Sequence, residues 1–144
     1  MISILEKQTE IAVDLEHNHL RSFQGFTCLV QIATREEDFI VDPFKIWRSM
    51  QKLNSVFTNP QIVKVLHGSD NDVMWLQRDF GVYVVNMFDT GQASRTLKFE
   101  SFSFAFLLSY YCDIHISKAY QLADWRIRPL SKGIKKLLCA FKLY

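Results

Sequence analysis

Asp14 and Glu16, in the stretch "TEIAVDLEHN" (9–18), are two carboxylates one residue apart. Ile11, Val13 and Leu15 alternate with Ala12, Asp14 and Glu16, the period of a half-buried β-strand. On such a strand both acids point to one side, about 6–7 Å apart. They are either the solvated face of the strand or a pair sharing a divalent cation such as Mg2+, which prefers hard oxygen ligands. Two acids do not make such a site. Further acids stand where runs of strand type give way to helix type. Asp70 and Asp72 lie in "HGSDND" (67–72) and Asp89 in "MFDTGQASR" (87–95). Helix capping and the helix dipole explain acids at such junctions, and capping is the favoured reading for Asp89. For Asp72 a second reading, a third carboxylate beside the first pair, stays open. Asp124, in "LADWR", is expected to pair with an arginine. Three or four clustered carboxylates suit two-metal phosphoryl transfer, with one ion generating hydroxide and the other stabilising the leaving oxygen.

The elements that must bring these acids together are readable from periodicity. Strands are expected at 10–16, 26–34 and 38–42, with "REE" as a hairpin link, so the chain opens as an antiparallel meander. Pro43 opens a helix carrying Ile46, Trp47, Met50, Leu53 and Val56–Phe57. "IVKVLH" (62–67) is a buried strand, and the helix after "GSDND" is ended by Gly81. "VYVVNMFDT" (82–90) reads as a strand, followed by helices near 90–97 and 103–112. Residues 119–131 read as mostly irregular. "KGIKKLLCAFKLY" (132–144) reads as an amphipathic helix with Ile134, Leu137, Leu138 and Phe141 on one face. Strands followed by alternating strand and helix give an α/β mixed sheet flanked by helices.

The 144 residues suit one domain, 1–144, with a real core, and 49% hydrophobic with 22% charged residues is a globular composition. The longest apolar run, "FSFAFLLSYYC", is about half of the ~20 residues that span a bilayer. Three cysteines, Cys28, Cys112 and Cys139, lack metal-ligand spacing and sit among apolar neighbours. They read as free thiols in a soluble, intracellular protein. The net charge is only +2, yet no acid follows Asp124, while Arg126, Arg128, Lys132, Lys135, Lys136 and Lys142 do. That tail is either a solvated helix face or a contact for phosphates.

Three blocks, "VDLEHNHLRSFQGFTCLVQIATREEDFIVD", "KVLHGSDNDVMWLQRDFGVYVVNMFDT" and "KAYQLADWRIRPLS", closely resemble the 3'–5' exoribonuclease domain of the nuclear exosome. This is the PM/Scl autoantigen family, a relative of ribonuclease D in the DEDD superfamily. The resemblance runs from about residue 8 to residue 132. It implies a ribonuclease H-like fold and hydrolysis of RNA from single-stranded 3' ends with two Mg2+ or Mn2+ ions. It also implies association with the nuclear exosome core and its cofactors, and residence in the nucleus. Carried over by position, Asp14 and Glu16 form the first motif and Asp72, rather than Asp70, the second, as catalytic metal ligands. His17, Trp75 and Lys118 match positions near the 3'-terminal nucleotides.

The third motif departs. The family has Tyr and, four residues on, Asp on the helix after "RPL". The Tyr orients the attacking water and the Asp completes the first metal site. Counted without gaps from Pro129, these positions hold Leu137 and Phe141. The expectation is a diverged C-terminal helix over 133–144, no HRDC-type helical domain, and activity that is weak or absent. The alternative is a catalytically inactive RNA-binding or exosome-associated module of the same fold.

Overall fold

The computed structural model describes residues 1–20, 22–115, 123–131 and 133–134. Lys118, Leu137 and Phe141, and the helix expected at 132–144, fall largely or wholly outside them. The sheet has five strands, β1 (Glu10–Asn18), β2 (Phe26–Ala33), β3 (Asp38–Val41), β4 (Val63–Leu66) and β5 (Met87–Asp89), in the order β3-β2-β1-β4-β5. β1, β2 and β3 form the expected antiparallel meander, and β4 and β5 add parallel to β1. The turn between β2 and β3 closes on Thr34, whose hydroxyl accepts the backbone N–H groups of Glu36 and Glu37.

One face of the sheet carries Ile11, Val13 and Leu15 of β1 into a core with Val30, Ile32, Leu66, Leu76 and Phe80. That core is closed by α1 (Ile2–Leu5) and by helical segments after β3 and β4. The other face presents Asp14, Glu16 and, across the β1–β2 pair, Gln31 and Leu29. A bulge follows, because Glu16 faces Leu29 but His17 faces Thr27, leaving Cys28 as the extra residue of β2. Consecutive Cys28 and Leu29 consequently both reach the small cluster around Trp125.

Two expectations are corrected. The helix read from Pro43 is broken into α2 (Pro43–Ile46), a 3-10 segment (Trp47–Leu53) and α3 (Asn54–Phe57). Ile46 leaves the helical region at φ −133°, ψ 24°. Trp47, Met50 and Leu53 recur every three residues, which a 3-10 helix stacks on one face; Met50 and Leu53 are buried there. The strand read over 82–90 is confined to Met87–Asp89. Before it, the N–H groups of Val82, Tyr83 and Val85 go to Leu76 O, Asn54 Oδ1 and Phe57 O, so this segment bonds to helices instead of the sheet.

α4 (Asp70–Phe80) ends on Gly81, whose φ of 62° is the left-handed cap expected of glycine. α5 (Thr90–Thr96) and α6 (Phe104–Cys112) follow β5. Among the described residues, no helix is long and apolar enough to cross a membrane.

Candidate carboxylate centre

The β1–β4 register sets the height of the site. Ala12 lies opposite Val65, so two residues on Asp14 is level with His67, just past the end of β4. Asp14 and Glu16 thus stand at the carboxyl edge of the parallel strands, where the chain turns into α4. Asp72, in the first turn of α4, is buried, whereas Asp70 is exposed.

Charge links the three carboxylates through Asp14, which acts on both Glu16 and Asp72. Burial first, and then the charges of Asp14 and Asp72, push Glu16 up to about 8. Burial, then Asp14 and Asp89, push Asp72 up to about 8 as well. Asp14 rises to about 6 through burial, partly offset by the backbone N–H of Leu15. Such shifts mark negative charges confined where water cannot screen them. Among the described residues no three His, Cys, Asp or Glu side chains are grouped closely enough to hold a metal ion as they stand. The donor set nevertheless fits a hard divalent cation, being all oxygen, concentrated in charge and largely removed from solvent.

The junction that delivers Asp72 is held by Asp89. Asp89 Oδ1 accepts from Gly68 N (3.0 Å), Gly91 N (2.8 Å) and Gln92 N (3.0 Å), and Oδ2 from Ser69 N and Oγ, both at 2.7 Å. Burial raises its pKa, but these donors outweigh burial and hold the group well below the usual carboxylate range. Asp89 caps α5 as expected and in addition ties α5 to the start of α4. Ser69, at the N-cap of α4, spends its hydroxyl on this carboxylate instead of on its own helix.

His17 lies flat on Trp75, with ring centroids 3.9 Å apart and planes 5° from parallel. Gly25, at φ 64°, lies so close that a Cβ there would come within 2.1 Å of His17 Cε1. Arg78 fastens this loop by donating to Gln24 O (2.8 Å) and Gly25 O (3.3 Å), and approaches His17 Nε2 at 3.4 Å. Asp79 accepts from both N and Oγ1 of Thr27. Burial and the neighbouring Arg78 charge lower the pKa of His17. Trp75 therefore packs against the core and at the same time supports the His17 ring.

The segment 123–131 is irregular, as expected, and Asp124 pairs with Arg126 at 2.8 and 2.7 Å. Arg128 grips Asp42 through two bonds (2.8 and 3.0 Å) and donates to Cys28 O and Trp125 O. An apolar cavity of about 340 Å³, lined by Ala12, Val65, Phe88, Leu107 and Tyr111 among others, has no carboxylate in its described lining.

Sequence reasoning missed Gln31. Its amide donates to Asp14 Oδ2 at 3.3 Å and to Glu16 Oε1 at 3.4 Å. The available signal was one amide inside the apolar run "CLVQIA" (28–33), since a buried polar residue is the informative exception.

Comparison with known proteins gives a consistent picture. Residues 1–136 match the family model described as 3'-5' exonuclease. Protein RRP6-like 1 of Arabidopsis thaliana is 56% identical over 137 residues, covering 94% of this chain and 22% of that protein. The exosome complex exonuclease RRP6 of Saccharomyces cerevisiae is 54% identical over 132 residues, covering 92% of this chain and 18% of that protein. The chain thus spans about a fifth of the length of these relatives. The catalytic core of RRP6 from Trypanosoma brucei superposes with a TM-score of 0.93 at 48% identity, covering 95% of this chain and 38% of that one.

Proposed function

The chain belongs to the 3'-5' exonuclease family, and on that premise we propose that it hydrolyses RNA from single-stranded 3' ends as a nuclear, exosome-associated nuclease. The observation carrying this reading is the gathering of Asp14 and Glu16 on β1 with the buried Asp72 of α4 at the carboxyl edge of the parallel strands. The exosome, RNA and nuclear parts of the reading follow the relatives' names and the long matching blocks.

In this reading Asp14, Glu16 and Asp72 hold divalent cations, Mg2+ or Mn2+. Bound there, such cations supply a water of lowered pKa and offset charge on the phosphodiester. The chain's own residues do the rest. The three carboxylates would hold the cation in their deprotonated form, and Asp14, whose charge acts on both Glu16 and Asp72, would contribute to both ends of the set. The His17–Trp75 stack offers an aromatic surface to a terminal base, and Lys118 is assigned to the same substrate. Arg78 and Gly25 keep His17 in place. In hydrolysis the water's oxygen bonds to the phosphorus of the last phosphodiester, the bond to the preceding 3' oxygen breaks, and that oxygen takes a proton as the RNA's new 3' hydroxyl, releasing a nucleoside 5'-monophosphate.

Leu137 and Phe141 stand where the family has Tyr and Asp, so the water lacks its usual orienting group. One misplaced group costs on the order of 10²-fold, so the activity is reduced. A second reading, an inactive module that grips RNA, is favoured by the same two residues and by the basic residues Arg126, Arg128, Lys132, Lys135, Lys136 and Lys142. Linear and circular RNA of one sequence, each incubated in Mg2+ and in Mn2+, separate the readings. Shortening of the linear form alone supports the exonuclease. Binding of the linear form with no shortening in either metal supports the module.

A further inference from the structure

Gln31 lies directly across the β1–β2 pair from Asp14, on the carboxylate face of the sheet, and is only 4% exposed. Its one amide nitrogen reaches both acids of the first motif, Asp14 Oδ2 at 3.3 Å and Glu16 Oε1 at 3.4 Å. Its amide oxygen is buried and has no hydrogen-bond partner among the described residues. A buried amide normally satisfies both of its ends. Here the orientation is set by the two carboxylates, at the expense of the oxygen.

We propose that Gln31 is a positioning residue of the cation site: its NH2 group bridges Asp14 and Glu16 and holds their oxygens turned toward the incoming ion.

The residue type suits that task. Lysine or arginine in this position would also hold the acids, but would cancel the charge a divalent cation needs. An aliphatic residue would leave two buried carboxylates with nothing to orient them. The amide has two N–H groups, one for each acid, and no net charge. Both bonds are long, so the carboxylates give them up readily as the ion binds. Groups that orient metal ligands in this way typically change metal affinity or activity 10- to 100-fold when removed.

The inference rests on the cation-binding reading of Asp14, Glu16 and Asp72, and the test separates the two. Mn2+ binding is measured by electron paramagnetic resonance for the wild-type chain and for Asp14→Ala, Gln31→Met and Gln31→Lys. RNA binding in chelator and thermal unfolding are recorded beside it. Gln31→Met keeps the shape and removes the donors, and is expected to weaken Mn2+ binding at least tenfold while RNA binding in chelator stays unchanged. Gln31→Lys is expected to abolish tight Mn2+ binding while remaining folded. Wild type failing to bind Mn2+ would overturn the underlying reading and this inference with it. Wild type binding, Asp14→Ala not binding, and Gln31→Met binding within twofold of wild type would overturn the inference alone. Should the variants not fold, the Gln31 side-chain amide signal of the unaltered chain decides by nuclear magnetic resonance. It is expected to shift on titration with Mg2+ in step with ion binding, and an unmoved signal contradicts the proposal.

Discussion

Ser69 gives both its backbone N–H and its hydroxyl to the same oxygen, Oδ2 of Asp89, each at 2.7 Å. This contact joins the end of β5 to the start of α4 and so sets where Asp72 emerges. Hydrogen bonds to a charged group contribute about 1.5–3 kcal/mol each. Asp89→Ala is expected to destabilise the fold by about 2 kcal/mol or more, and Asp89→Asn by less, measured by urea unfolding. The folded pKa of Asp89 is depressed, so its contribution is full above about pH 4, the ordinary carboxylate value, and is lost as pH falls below it.

The opposite sign holds for the acids of the site. Asp14, Glu16 and Asp72 have folded values of about 6, 8 and 8 against ordinary values of 3.8, 4.5 and 3.8. The folded state keeps these protons longer than the unfolded chain, so in chelator stability falls as pH rises from about 4 to about 8. Asp72→Asn removes one repelling charge and is expected to raise the melting temperature in chelator at pH 8 by about 3 °C or more. Mg2+ should stabilise wild type most at the alkaline end of this window and should have little effect on the variant. Calorimetry in chelator and in Mg2+ across the pH range checks both.

Trp75 supports His17 from below at 3.9 Å. Stacking of a base on an aromatic platform is worth about 1–3 kcal/mol. Trp75→Ala is expected to weaken binding of single-stranded RNA about tenfold, and Trp75→Phe by less, measured by fluorescence anisotropy in chelator. Asp14→Ala leaves the stack untouched and is expected to retain RNA binding under the same conditions.

Arg128 reaches five acceptors from one guanidinium: two oxygens of Asp42 and the carbonyls of Cys28, Trp125 and Ile127. This anchors the segment around Trp125 over the bulged part of β2. Arg128→Ala is expected to cost about 2 kcal/mol in urea unfolding. Arg128→Lys is expected to rescue little of it, because an ammonium group cannot reproduce the planar fork.

What the sequence displayed and what it hid divide by range. Alternation in "EIAVDLE" placed Asp14 and Glu16 on one side of a strand, and Gly81 marked the end of α4, because both signals are local. The break after Pro43 was hidden because Trp47, Met50, Leu53 and Val56–Phe57 satisfy a helical period while the three-residue spacing within them also satisfies a 3-10 turn. Val82–Val85 has strand residues, yet its N–H groups find partners on Asn54, Phe57 and Leu76, contacts that no local pattern announces. Gln31 belongs to the same class: its meaning depends on the register that sets it opposite Asp14. The selection of Asp72 over Asp70 came from family resemblance, and the burial of one and exposure of the other now give it a physical counterpart.

The most direct measurement follows release of nucleoside 5'-monophosphates from single-stranded RNA with a free 3' hydroxyl, in Mn2+, by wild type and by Asp14→Ala. The account predicts slow, stepwise release from the 3' end by wild type and none by the variant. Equal release by the two proteins, or none by either, would contradict a catalytic carboxylate centre at Asp14, Glu16 and Asp72.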